Sequence, residues 1–163
     1  MRNGARPGRL WGKPHLQAND RSHFNPKHDA YAVLSISELP ALRAMPCCPI
    51  GSPYLETGIE TVLTTNPIFE RRREVCPFHA HDWSAAAALA ITIWRSLGPA
   101  NWSTTTVDEA IAHLPGDIQP AVESLIFEPL GFRSSDEPLD QGNHRLCALR
   151  YDGTSEVLVE VIV

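Results

Sequence analysis

Five consecutive residues near the end of the chain, Gln141-Gly142-Asn143-His144-Arg145, have the types and spacing of an anion-binding turn. A Gly-Asn pair permits backbone conformations that a branched residue resists, and a glycine lets the main chain approach a ligand closely. At a helix start, free backbone N–H groups point outward and the helix dipole adds roughly half a positive charge. Arg145 brings a planar cation able to hold a phosphate through two parallel hydrogen bonds. His144 brings a donor that charges near neutral pH. These residues read as a phosphate cradle, with Gly142 and Asn143 as its floor, Arg145 as clamp and His144 as second donor or acid/base. The alternative is an ordinary turn followed by a solvated helix start.

A second cluster is Cys76-x-x-His79-x-His81, with Cys47 and Cys48 upstream in a proline-rich stretch. Zinc takes four such ligands in a tetrahedron, and loops rich in Pro and Gly commonly hold them. Cys76 and His79 have the spacing of a ligand pair, whereas Cys47-Cys48 lacks the usual two-residue gap. The candidate zinc ligands are Cys76, His79, His81 and Cys47. Buried cysteines beside a histidine-rich helix entry are the alternative, and a thiolate at Cys76 activated by His79 is a third reading.

Several elements must position these groups. Residues 31–36 have β-type composition and predict a first strand, turned by Ser37-Glu38-Leu39-Pro40. Residues 45–58 hold three prolines and two glycines, which forbids a regular helix. Residues 59–63 suit either a helix or a strand, and residues 70–74 are a charged surface stretch. The clearest helix spans 82–97, with Asp82 as N-cap and Gly98 just past its end. Apolar residues on nearly every side predict that it is buried on most faces. Thr106 and Glu109 have capping-box spacing for a helix over 107–113. Pro115-Gly116 breaks it, and Pro120 fits the first turn of another helix reaching about residue 125. After Gly142-Asn143 come a short helix, a stop at Gly153 and a strand over 157–163. That strand places Val157, Val159, Val161 and Val163 on one face and Leu158, Glu160 and Ile162 on the other.

The run from Gly142 through Arg150, followed by Gly153 and this valine-rich strand, resembles the G-x-x-R-x-x-A box of the ParB/sulfiredoxin superfamily. Gly142, Arg145 and Ala148 fall at the fixed positions of the box, and His144 directly precedes the arginine. In that superfamily the box lies at a helix start and binds nucleotide phosphates. The resemblance implies an α+β fold with a small mixed sheet, packed helices and a helical middle insertion. It also implies a nucleotide such as ATP or CTP as ligand. Hydrolysis or transfer of a phosphoryl group would add Mg²⁺ and a carboxylate to hold it, for which Glu38, Asp136, Glu137 and Asp140 are candidates. Three departures bear on activity. Asn143 stands where sulfiredoxins carry the catalytic cysteine, so sulfinic acid reduction by that route is not expected, and Cys147 reads as a small core residue. Gln141 stands where many relatives have an acid. No helix-turn-helix follows the last strand, so sequence-specific DNA segregation is not expected either.

The bulk figures set outer bounds. At 163 residues, 43% hydrophobic and 20% charged, the chain suits one core-forming domain plus a tail. Residues 1–30 hold six cations against Asp20 and Asp29, a local balance of +4 that leaves the rest near -9 of the total of -5. The expected organisation is a flexible basic tail over 1–29 and one domain over 31–163, with the region 45–100 unplaced. The tail suits nucleic acid or another anionic partner, or simply solvent. No apolar run is long enough for a membrane span, and the basic start, which lacks a hydrophobic stretch, is not expected to act as a secretory leader. Unpaired cysteine spacing makes a reduced, cytoplasmic protein the expectation. Three functions follow. The first is a phosphate-binding protein acting on a nucleotide or phosphorylated small molecule. The second is a non-catalytic interaction module, zinc-stapled or not. The third is a DNA-binding or nuclease accessory.

Overall fold

A computed structural model of the protein describes residues 21–41 and 77–163. Strand β1, Tyr31–Ser35, ends in a capping box. The Ser35 hydroxyl accepts from the Ser37 amide at 3.4 Å, and Glu38 Oε2 accepts from the Ser35 amide at 2.8 Å, which winds residues 36–38 into one tight turn.

Helix α1, Trp83–Leu97, has the expected ends. Asp82 Oδ1 accepts from the Ala85 amide at 3.0 Å, and Gly98 follows at φ 63. Ser84, Ala88, Thr92, Arg95 and Ser96 form its exposed stripe. Trp83, Ala86, Ala87, Ala90, Ile91 and Ile93 are buried. Three alanines on the buried side let neighbours approach the helix backbone, while Trp83 fills the volume at its start.

Helix α2 is Thr104–Ala112, one turn earlier than Thr106 and Glu109 suggest. The cap is Ser103, whose hydroxyl accepts from the Thr106 amide at 3.3 Å while Thr106 Oγ1 accepts from the Ser103 amide at 3.2 Å. Ser103 thus satisfies the orphan amides before Thr106 is reached. Helix α3, Gln119–Phe127, has Pro120 in its first turn as expected and extends two residues beyond the expected end.

A short strand that the pattern did not reveal, β2, follows at Leu130–Phe132. Helix α4, Asn143–Tyr151, and strand β3, Glu156–Val161, complete the described fold. The sheet has the order β1-β3-β2. β3 is antiparallel to β1, with Tyr31 opposite Glu160, and parallel to β2, with Leu130 opposite Val159. The described residues therefore form an α+β fold with a small mixed sheet.

The central strand is buried on both faces: Val157, Leu158 and Val159 are all fully buried. Helices α1 and α3 pack on β3, and α4 packs on β2 and α1. The apolar stripe runs out where pairing ends, since Val161 and Val163 are exposed. Helix α1, which falls in the region left unplaced by its sequence, is integral to this core. Residues 42–76, with the proline-rich stretch and the segments 59–63 and 70–74, lie outside the described residues.

Residues 21–29, read from composition as the end of a tail, dock on the helices. Phe24 packs on Trp102 and Phe127 with ring centroids 5.3 and 5.5 Å apart, and His28 stacks on Trp94 at 4.6 Å. The Trp94 indole donates to the His28 carbonyl at 3.2 Å, and the Trp102 indole donates to the Asn25 carbonyl at 3.0 Å. Two aromatic rings with satisfied N–H groups outweigh the polar composition of this segment. Residues 1–20 lie outside the described residues.

Candidate functional site

The Gln141–Arg145 turn is built where β2 meets α4. Asp140 N donates to Gly131 O at 2.9 Å, and Gly131 N donates to Gln141 O at 3.2 Å, so the approach to the turn is laced to β2. Gln141 Nε2 donates to Pro129 O at 2.9 Å. Gly142 is left-handed at φ 95, and a Cβ there would stand 3.1 Å from Leu130 Cδ2 and 3.2 Å from its Cα. Both the dihedral and the close approach require glycine.

From this glycine α4 begins without a side-chain cap. The Leu146 amide donates to Gly142 O at 2.8 Å, closing the first turn. Asn143 and His144 are half-buried in that turn. The Asn143 amide oxygen is buried without a hydrogen-bond partner, an exception that calls for a reason in a folded interior.

Arg145 lies where the motif places it along the chain, but its side chain turns inward. It is 6% exposed. Its Nη1 donates to Glu128 Oε2 at 3.0 Å and to Ser124 Oγ at 3.1 Å, and its Nε is buried with no partner. Burial pushes its guanidinium below the ordinary arginine range, and the adjacent Glu128 carboxylate opposes that shift. The expected solvated clamp is thus an ion pair inside the fold. The reason is that α4 is buried along most of its length, from Arg145 through Leu149. Ser124 and Glu128 had no place in the sequence-based site. Their spacing of four along a mostly apolar segment was the available signal, because it puts two polar groups on one face.

Two of the four carboxylates considered for a metal-bound phosphoryl group are engaged elsewhere. Glu38 caps the Ser35 turn, and Asp140 holds Arg133 through both oxygens at 3.1 Å. Asp136 and Glu137 are exposed in the loop between β2 and α4.

Of the zinc candidates, Cys76 and Cys47 lie outside the described residues. His79 is buried, with Nε2 3.7 Å from Cys147 Sγ and its ring edge-on to Tyr151 at 5.3 Å. Cys147 and Tyr151 are four apart on α4, so His79 seals one face of that helix. Local sequence could not show this contact across 68 residues. His81 stands edge-on to Trp83 at 6.2 Å and bonds to the Asp117 backbone. Among the described residues, no group of three or more His, Cys, Asp and Glu side chains stands where it could hold a metal ion. Among them also, no helix is long and apolar enough to cross a membrane.

Arg21, the one arginine of the basic segment among the described residues, bonds to Asp108 at 2.7 Å and lies 3.7 Å over the Phe127 ring. No protein-family model matches the chain, no curated protein shows significant similarity to it, and no solved structure matches it.

Proposed function

We propose that the protein is a phosphate-binding domain of ParB/sulfiredoxin type that takes a nucleotide, ATP or CTP with Mg²⁺, at the start of α4. The observation that carries this reading is the uncapped helix start on left-handed Gly142. Backbone N–H groups and the positive end of the helix dipole favour an anion there. Asn143 supports it, since a half-turn of its buried amide presents Nδ2 as a donor. His144 is the second donor and, in any hydrolysis or transfer of a phosphoryl group, the acid/base. Arg145 supplies positive charge from behind the turn.

Thermal unfolding of the purified protein with ATP, CTP, GTP and ADP, each with and without Mg²⁺, tests the reading. A ligand at 100 times its Kd stabilises the fold by about 2.7 kcal/mol. One nucleotide should raise the midpoint of the native protein and raise that of His144→Ala less. No shift with any nucleotide would sink the proposal.

The inward turn of Arg145 favours a second reading, a non-catalytic interaction module that uses the fold as scaffold. The His79–Cys147 contact gives that module one N and one S ligand for zinc, the metal that Cys76, His81 and Cys47 would also suit. Stoichiometric zinc in protein purified without added metal, lost with unfolding on chelation, would favour it.

A further inference from the structure

Residues 21–29 lie on the helices as a bound peptide lies in a groove. Among the described residues, no main-chain to main-chain bond joins them to α1, α2 or α3; such bonds are local turns, Phe24 N to Arg21 O at 3.1 Å and Ala30 N to Lys27 O at 3.0 Å. The body of the protein holds the segment with side chains instead. The Trp94 and Trp102 indoles donate to carbonyls three residues apart, those of His28 and Asn25. Asp108 takes the Arg21 guanidinium at 2.7 Å, and the Phe24 ring lies against Trp102 and Phe127. Glu160 accepts from the Asn25 side-chain amide at 2.7 Å. The two sides of this contact are unequal. None of residues 21–30 is buried, whereas Tyr31, Trp102 and Phe127 beneath them are. A half-exposed strap without ladder bonds opens at lower cost than a core element. Its release uncovers an aromatic floor, and exposed apolar floors of that kind are interaction surfaces.

We propose that this groove is a peptide-binding site that residues 21–28 occupy in cis. Its ligand is a segment of a partner protein with the pattern of Arg21, Phe24 and Asn25: a cation three residues before an aromatic ring, and an amide side chain directly after the ring. A second copy of the chain offers the same contacts without the high effective concentration of a tethered segment, so it does not displace the strap. The partner segment displaces it by adding a contact. Glu123 shows where, since it meets Arg21 only at 3.9 Å while Asp108 holds Arg21 closely. Two carboxylates share one guanidinium there among the described residues, so the ligand carries a second cation beside the first. This site is independent of the phosphate-binding reading above.

The test titrates a fluorescein-labelled peptide of residues 21–30 with the full chain, native and Phe24→Ala, followed by anisotropy. Phe24→Ala has lost its own ring from the groove and should bind the peptide at least about tenfold more tightly than native protein, whose groove is mostly closed. A peptide with a lysine placed before Arg21 should bind about two- to fivefold more tightly still, the range of an exposed ion pair. Equal binding of the two peptides overturns the second cation. Binding by Phe24→Ala no tighter than by native protein, or undiminished binding of a peptide whose own phenylalanine is alanine, overturns the site. Light scattering of native protein tests the source: a dimer that the peptide dissolves would put a second copy in the groove and overturn the partner. If Phe24→Ala fails to fold, hydrogen exchange of the Trp94 and Trp102 indole N–H groups in native protein decides. Exchange well ahead of the amides of residues 157–159 supports a strap that opens by itself, and exchange together with them overturns it.

Discussion

Arg145 donates to Glu128 at 3.0 Å, and this bond ties the first turn of α4 to the C-cap residue of α3. Breaking it from the acid side strands a buried cation. Glu128→Ala should destabilise the fold by about 2–3 kcal/mol, below the 3–5 of a wholly buried pair because Glu128 retains some solvent. Urea unfolding with an unchanged m-value measures this. A loss under about half a kcal/mol would show that Arg145 finds other partners.

Gly142 and Gly153 both have positive φ, at 95 and 70, yet they differ in surroundings. A methyl group at Gly153 meets open space, whereas at Gly142 it meets Leu130 at 3.1 Å. Gly153→Ala should lose about 1 kcal/mol from the left-handed conformation alone. Gly142→Ala should lose about 2–3 kcal/mol and loosen β2. Equal losses in urea titrations would refute the close approach of α4 to β2.

Tyr31 is pushed up to about 12, first by burial and secondarily by Glu160, against a hydrogen bond from the Asn25 backbone. The folded state therefore holds this proton more tightly than the unfolded chain, whose tyrosines ionise near 10. Its contribution is complete below pH about 10 and is lost as pH rises from there through about 12. Tyr31→Phe should flatten that alkaline decline in thermal midpoint. A decline as steep in the variant would assign it elsewhere.

His81 is held below its ordinary value of 6.5 by burial, opposed by a bond to the Asp117 backbone. A depressed folded value means that the unfolded chain takes up the proton first. Stability associated with His81 is present above pH about 6.5 and falls as the solution is acidified through its lower folded value. His81→Gln should reduce the difference in unfolding midpoint between pH 7 and pH 5. An undiminished difference would remove His81 as its source.

Elements whose signals are local were readable in the chain. Helix α1 carries its own cap at Asp82 and its own stop at Gly98 around a run of apolar residues, so nothing distant is needed to define it. The start of α2 went astray by one turn because two capping patterns overlap, and Ser103 engages Thr106 before Thr106 can engage Glu109. Strand β2 has only three residues, too few to show a period. It exists because β3 and the Asp140–Gln141 segment supply its hydrogen bonds. The docking of residues 21–29 was hidden by their polar composition, since Phe24 and His28 find their partners on α1, α3 and the loop before α2.

By itself the sequence determined strands β1 and β3, the buried helix α1 and the turn that starts α4 on Gly142. These depend on φ preferences, caps and hydrophobic period, which act over a few residues. Tertiary structure decided where the reactive side chains point. It turned Arg145 from solvent to Glu128 and Ser124, and it set His79 against Cys147 rather than into a described metal cluster. An arginine at a helix start can face water or the interior at similar local energy. Only the burial of α4 against the core, and a carboxylate waiting at the end of α3, select between them.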